Sequence, residues 1–313
     1  MIFDNFERVQ TYDEWINEER DMDMIYLNES LSVSDDVKIE TEKLVKFLND
    51  NIHKEKLLDI ELFGCPCCVS LDFINIDKKL DNENAKTLYR NHNFGLKTIT
   101  HINNENGFAK VSFKLDGTVL LENMKIGVFT KSILSHELKH MFINKQINDG
   151  VMVMSVITRN ERNKKWRELY RDCVSILNNC KNDNYRESLG KNFYKIVYSL
   201  YSCTTGEIAA FTQQTYMECE GCLTEEEIKT RLKKSILYEI KESFKTTLNL
   251  LNDPNVITDY NNKKDTILPS INVVKELIEK RYKKVLSNYG KVFVLLKDEL
   301  LDKNNTIDLD IEV

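Results

Sequence analysis

The sequence KSILSHELKHMF, residues 131–142, sets His136, Glu137 and His140 in the order H-E-x-x-H within an apolar run, and its reading decides the fold. On a helix, residues four apart share a face, so the two imidazoles can aim at one point. Zinc suits that point: it takes neutral imidazole nitrogen at about 2.0–2.1 Å in tetrahedral sites and keeps one position open when it is catalytic. Glu137 then lies beside the ion rather than on it. A carboxylate there can take a proton from water whose pKa zinc lowers from near 16 to roughly 7. Ile133, Leu134, Leu138, Met141 and Phe142 give the same helix an apolar surface to bury. With five histidines in the chain, composition alone yields such a motif in on the order of one sequence in a hundred. A metal site is therefore preferred to a purely structural helix.

Outward from the motif, composition sets bounds. A chain of 313 residues can bury a large core as one domain or two lobes. Net charge is −6 with 30% charged residues, the opposite of a nucleic-acid footprint. Residues 1–10 carry Asp4 and Glu7 and lack a basic start followed by an apolar core, so no secretory signal peptide is expected. No apolar run approaches the roughly 20 residues of a membrane span, so no membrane partner is expected. Eight cysteines in a long chain without such a signal are expected to be reduced thiols.

The hydrophobic periods predict an α+β fold in three parts: residues 1–150 as an N-terminal α/β lobe ending in the motif helix, 151–222 as a helical lobe, and 223–313 as a helical C-terminal extension. In the first part a lead-in over residues 1–22 precedes a strand at Met24–Leu27. A helix capped by Asp35 or Asp36 then runs through about Asn51. Strands are predicted next at Lys56–Phe63 and Val69–Ile76 across a Gly64–Cys68 turn, and a short helix covers Asp81–Tyr89. Further short strands are predicted at Thr98–His101, Phe108–Leu115 and Val119–Leu121, the last two separated by an Asp116-Gly117 hairpin signal. The motif helix starts near Thr130 or Ser132. Beyond Gly150 the pattern is helical, including a long helix over Glu225–Leu251, another over Val273–Leu286, a segment at Lys291–Leu301 that reads as helix or strand, and an acidic tail.

Two histidines need at least one more protein ligand in a catalytic zinc site. No histidine occurs after His140, and Ile143 and Gln146 occupy the positions where an extended H-E-x-x-H-x-x-G-x-x-H motif has Gly and His, which excludes a metzincin. The third ligand should be a carboxylate. Glu207, within Gly206-Glu207-Ile208-Ala209-Ala210, is the best candidate because small residues at 206, 209 and 210 would let its helix approach the motif helix. Thr204-x-x-Glu207 is equally a capping box, in which Glu207 would only bond the backbone. Glu218 and Glu220 are fallback positions.

His136-Glu137-x-x-His140 followed by Glu207-x-x-Ala210 resembles the zincin-like metallopeptidases of the gluzincin type, including compact versions from bacteria and their phages. The resemblance covers residues 126–211. It implies a small mixed sheet packed on the motif helix, an edge strand lining the cleft and a helical lobe carrying the third ligand. It also implies Zn²⁺ held by His136, His140 and Glu207, with Glu137 as general base. The expected function is hydrolysis of a peptide or protein substrate, and the expected location is cytoplasmic, or virion if the chain is phage-encoded. The alternative is a zincin-fold structural or adaptor component of a phage particle or other assembly, weakly active or inactive, with protein partners on the C-terminal helices. Many such enzymes stabilise the oxyanion with a later histidine. Here Tyr198, Tyr201 or Tyr216 would have to serve, though each is more commonly a core or rim aromatic.

Other groups carry less. Cys65-Pro66-Cys67-Cys68 and Cys219-x-x-Cys222 could together form a thiolate zinc site, but one C-x-x-C is weak and the first cluster is atypically tight. Cys173 and Cys180 fit the apolar face of a helix. His53, His92 and His101 fall in predicted loops or strand ends and receive no role. The mixed charges of residues 225–245 read as a solvated helix face.

Overall fold

The computed structural model describes residues 33–52, 57–92, 95–105, 108–149, 156–180, 182–203, 206–264 and 268–309. The lead-in and strand expected before residue 28 lie outside them, as does His53. Helices are α1 (Asp35–Asn51), α2 (Asn82–Asn91), α3 (Val128–Asn148), α4 (Val156–Asn179), α5 (Asp183–Leu189), α6 (Lys191–Ser202), α7 (Glu207–Cys219), α8 (Glu225–Leu232), α9 (Ile236–Leu250), α10 (Pro254–Lys263) and α11 (Ile271–Leu309). Strands are β1 (Leu57–Leu62), β2 (Cys65–Ile76), β3 (Leu96–Glu105), β4 (Phe108–Glu122) and the two-residue β5 (Lys125–Ile126). Among the described residues the chain is α+β with one small mixed sheet.

The sheet runs β1-β2-β4-β3, with β5 added to the end of β4. Only β2 and β4 are parallel; the other pairs are antiparallel. Phe63 and Gly64 close the first hairpin with φ of 53° and 72°, the two positive angles of a tight two-residue turn. The turn is thus shorter than the expected Gly64–Cys68, and the cysteine cluster belongs to β2. Pro66 is tolerated because β4 joins β2 only from Cys67 onward, so no ladder bond is lost on that side.

β4 is one strand, not two. Asp116-Gly117 makes no hairpin: Asp116 is held by Lys97 at 2.8 Å and Lys114 at 3.3 Å, and Thr118 N–H donates to the Gly95 carbonyl at 3.1 Å. A Cβ on Gly117, φ 141°, would meet that carbonyl oxygen at 2.1 Å. This glycine marks close backbone approach within a strand rather than a turn.

One sheet face carries Cys67, Val69, Phe113 and Leu115 against Leu44 and Leu48 of α1 and Leu134, Leu138 and Met141 of α3, all buried. The i, i+4, i+7 spacing of the α3 residues turns one stripe of the motif helix onto the sheet. α3 begins at Val128, ahead of the expected Thr130 or Ser132. Those hydroxyls instead donate to the carbonyls of Leu120 and Phe129.

Contacts gather the chain into two compact units that differ from its linear order. One takes in the described residues of Ser30–Val153, Gly206–Lys241 and Val285–Val313; the other takes in those of Met154–Thr205 and Glu242–Lys284. The motif helix and Glu207 therefore share the sheet-bearing unit. Within it α7 is buried along its whole length, and its side chains fix where the next helices begin. Thr215 Oγ1 accepts the N–H of Leu237 at 3.1 Å, and Glu218 Oε2 accepts that of Ile236 at 3.0 Å. These bonds cap α9 from outside, which is why the predicted Glu225–Leu251 helix is two helices, α8 and α9. The segment left open between helix and strand at Lys291–Leu301 is helical, inside the 39-residue α11. In the helical unit, Phe193, Ile196, Val197 and Leu200 of α6 are buried, and the hydroxyls of Ser199 and Thr247 lie 2.8 Å apart. No helix among the described residues is long and apolar enough to cross a membrane.

Candidate metal centre

α3 has a second face, opposite its sheet stripe. It carries His136 and His140, and there the helix meets α7, whose first turn supplies Glu207 and whose Ala209 and Ala210 are buried with it. Gly206 precedes Glu207 with φ of 94°, and a Cβ there would come within 3.3 Å of His140 Nδ1. Absence of a side chain at 206 lets α7 start against the imidazole.

His136 Nε2 and His140 Nε2 lie 3.2 Å apart. The Glu207 carboxylate is 3.6 Å from the first, through Oε2, and 3.5 Å from the second, through Oε1. Atoms about 2.0–2.1 Å from a tetrahedral ion sit roughly 3.3–3.4 Å from one another, so the three separations match the edges of such a site. Glu207 is 3% exposed and His136 8%. These three residues could hold a metal ion, and they are the group of that kind among the described residues.

The ligating form of the two imidazoles is favoured by burial. Burial drives the His136 imidazole below its usual pKa against the opposing charge of Glu137. Burial likewise drives His140 down to about 4, with Glu207 opposing and His136 reinforcing the shift. Both shifts favour the neutral imidazole, the state a metal requires. Burial pushes the half-buried Glu137 carboxyl up, while His136 and the Thr98 hydroxyl pull it back and Glu207 adds to the rise.

Glu137 is tied to the sheet's edge. Thr98 Oγ1, on β3, donates to Glu137 Oε2 at 2.7 Å. Two residues along the same strand, Thr100 Oγ1 accepts from Asn144 Nδ2 of α3 at 3.0 Å. Sequence reading names Gly206 as one of the small residues that let α7 approach α3, and does not single out Thr98. The alternation of Thr98 and Thr100 on one strand face is the signal that pointed to α3.

The other candidates are engaged elsewhere. Glu218 accepts from Gln214 Nε2 at 3.0 Å besides capping α9, and Glu220 pairs with Lys131 at 2.9 Å. Tyr216 is fully buried, with its hydroxyl 2.7 Å from Glu299 and 2.5 Å from Lys38 Nζ, which makes it a core anchor. Tyr198 and Tyr201 lie on α6 of the helical unit, in ring contact with each other at 6.4 Å. All eight cysteines are free thiols, and among the described residues none joins a group able to hold an ion. α7 begins at Glu207, and Thr204 lies outside the described residues, so the capping-box geometry is not defined. Comparison with protein-family models, with curated proteins and with solved structures finds no match to the chain.

Proposed function

We propose that the chain is a zinc-dependent peptidase of zincin type, with His136, His140 and Glu207 as metal ligands and Glu137 as general base. The observation that carries this reading is the convergence of the three ligand atoms at tetrahedral-edge distances, with the Glu137 carboxylate on the same helix. The β3 edge strand supports it further, since Thr98 fixes one oxygen of Glu137 at 2.7 Å. A bound zinc ion would supply Lewis acidity, acidifying water and polarising a carbonyl.

The chain's own residues do the rest. Glu137 accepts a proton from water as its oxygen bonds to the scissile carbonyl carbon. It then passes that proton to the amine nitrogen as the C–N bond breaks. Thr98 holds the carboxylate in position, and the outer edge of β3 gives an extended peptide a backbone partner.

The test is hydrolysis of a quenched fluorogenic peptide library by zinc-loaded wild type and by Glu137→Gln. The expected result is retained zinc with a rate lower by about 10²- to 10⁴-fold in the variant. Cleavage at the wild-type rate by Glu137→Gln would remove Glu137 as base. Zinc binding without hydrolysis in wild type would favour the assembly or adaptor role.

A further inference from the structure

We propose that the outer face of α11 between Ser287 and Leu301 is an interaction surface for a second copy of this chain. The two helices pair antiparallel about a two-fold axis that passes beside Val294 and Leu295. The proposal is independent of the metal centre.

This part of α11 is apolar on two faces, and the fold uses one of them. Val292 and Leu296 are buried, with Tyr289, Phe293 and Leu300 packed beside them, in the core that holds Tyr216, Met217, Ile228 and Leu232. Asn288 Nδ2 donates to Thr212 Oγ1 at 2.9 Å, and Glu299 accepts from the Tyr216 hydroxyl at 2.7 Å, so the helix is held firmly from its inner side. The outer side faces solvent. There Val294 is 55% exposed, Leu295 37% and Leu301 50%. Val294 and Leu295 line one groove with Ser287, Gly290, Lys291 and Asp298, and Leu301 stands two helical turns beyond Val294. Exposed apolar side chains scattered singly need no explanation; a group of them along one face of a rigid helix marks a surface that another chain covers.

Charge and size select the occupant. Lys291 and Asp298 flank the apolar pair, both exposed. Ion pairs within a helix form at spacings of three and four. From Lys291 those positions hold Ser287, Asn288, Val294 and Leu295, and from Asp298 they hold Val294, Leu295, Leu301 and Asp302, so neither charge has a counterpart on its own helix. Among the described residues the ion pairs of this stretch use its neighbours instead, Glu299 with Lys38 and Lys297 with Glu225. The pattern is self-complementary. Lys291 and Asp298 lie equally far from the midpoint between Val294 and Leu295. An antiparallel second copy turned about that midpoint sets Lys291 against the partner's Asp298 and, by symmetry, Asp298 against the partner's Lys291. It also brings Val294 and Leu295 onto their counterparts and lays Leu301 over the partner's Ser287, where the side chain is small. A parallel copy would instead set like charges together. An isologous contact requires this kind of self-match, and like charges across an interface oppose it. One helix pair is small beside the about 800 Å² per partner of a standard interface, so the dimer is a weak one, with a Kd of roughly tens of micromolar.

The experiment is sedimentation equilibrium of the full chain from about 1 to about 300 μM, a range that spans a weak dimer. It compares wild type with Val294→Asp, Lys291→Asp, Asp298→Lys and the double exchange of Lys291→Asp with Asp298→Lys. All three positions are exposed, so an unchanged urea midpoint is expected in each monomeric variant and shows that the fold is intact. Wild type should show a reversible monomer–dimer equilibrium, and Val294→Asp should stay monomeric throughout. Each single charge reversal should weaken the dimer by about tenfold or more, and the double exchange should return it to within a few-fold of wild type. Wild type that remains monomeric over the whole range would overturn the second copy as occupant and leave the face to a different partner. Dimerisation that Val294→Asp does not alter would overturn the location. A double exchange as weak as the single reversals would overturn the antiparallel pairing.

Discussion

At the scale of single residues, the proposed centre depends on how closely two helices approach. Gly206 favours that closeness: its φ of 94° strains any side chain, and a Cβ there would come within 3.3 Å of His140 Nδ1, a tight contact. Gly206→Ala is expected to destabilise the chain by about 1–3 kcal/mol, seen as a lower urea midpoint, because a non-glycine residue is strained at that φ and its Cβ presses on the His140 ring. Thr98 bonds the proposed base, Glu137, and none of the three proposed metal ligands. Thr98→Val should leave zinc affinity unchanged and lower the turnover number more than it alters KM, by about tenfold for one charge-assisted bond, while Thr98→Ser restores it. An unchanged rate in Thr98→Val would separate the edge strand from Glu137. His136, Glu137 and His140 were legible from spacing alone, because helical period dictates which side chains share a face. Glu207 stands as the best candidate on its small neighbours at 206, 209 and 210, with Glu218 and Glu220 as fallbacks, and spacing alone cannot decide among them. Nothing in a sequence states which distant carboxylate a fold brings to a helix.

At the scale of elements, α7 explains most of what periodicity missed. A helix buried on every side loses its apolar stripe, and its polar residues become tertiary caps and ties. Thr215 and Glu218 end one predicted helix and start another, and Asn288 Nδ2 donates to Thr212 Oγ1 at 2.9 Å. Glu218 also gives the element a pH signature. Burial raises its pKa to about 7, opposed by Lys86, the Ile236 N–H and Gln214, with the Glu239 charge adding to the rise. A carboxyl whose folded pKa exceeds its unfolded value near 4.5 stabilises the fold fully below pH 4.5, and that contribution is lost as pH rises through 7. The difference in stability between wild type and Glu218→Gln should therefore drift by up to about 3 kcal/mol between pH 4.5 and 7.5, against the wild type at higher pH. Urea unfolding of the metal-free proteins at a series of pH values measures it. The imidazoles of His136 and His140 act in the opposite sense, since their folded values are lowered, and they cancel in the difference.

At the scale of the whole molecule, element order was readable and element partnership was not. Helix, hairpin, strands, motif helix and helices occur in the predicted order. The parallel pairing of β2 with β4 and the return of Gly206–Lys241 to the sheet-bearing unit depend on contacts between distant segments, which a period of 2 or 3.6 does not encode. Asp116-Gly117 misled for the same reason: local turn chemistry lost to a sheet that needed a bare backbone at that point. The sheet core should behave as a tightly packed one. Phe113→Ala, at a position 2% exposed, is expected to cost about 3–5 kcal/mol by thermal or urea unfolding.

The central claim is that His136, His140 and Glu207 form one metal site. Its most direct test is the zinc content of purified wild type, His140→Ala and Glu207→Ala after equilibration with Zn²⁺ and removal of excess. The expected result is about one ion per chain in wild type and close to none in either variant. A full equivalent of zinc retained by Glu207→Ala, or none bound by wild type, would contradict it.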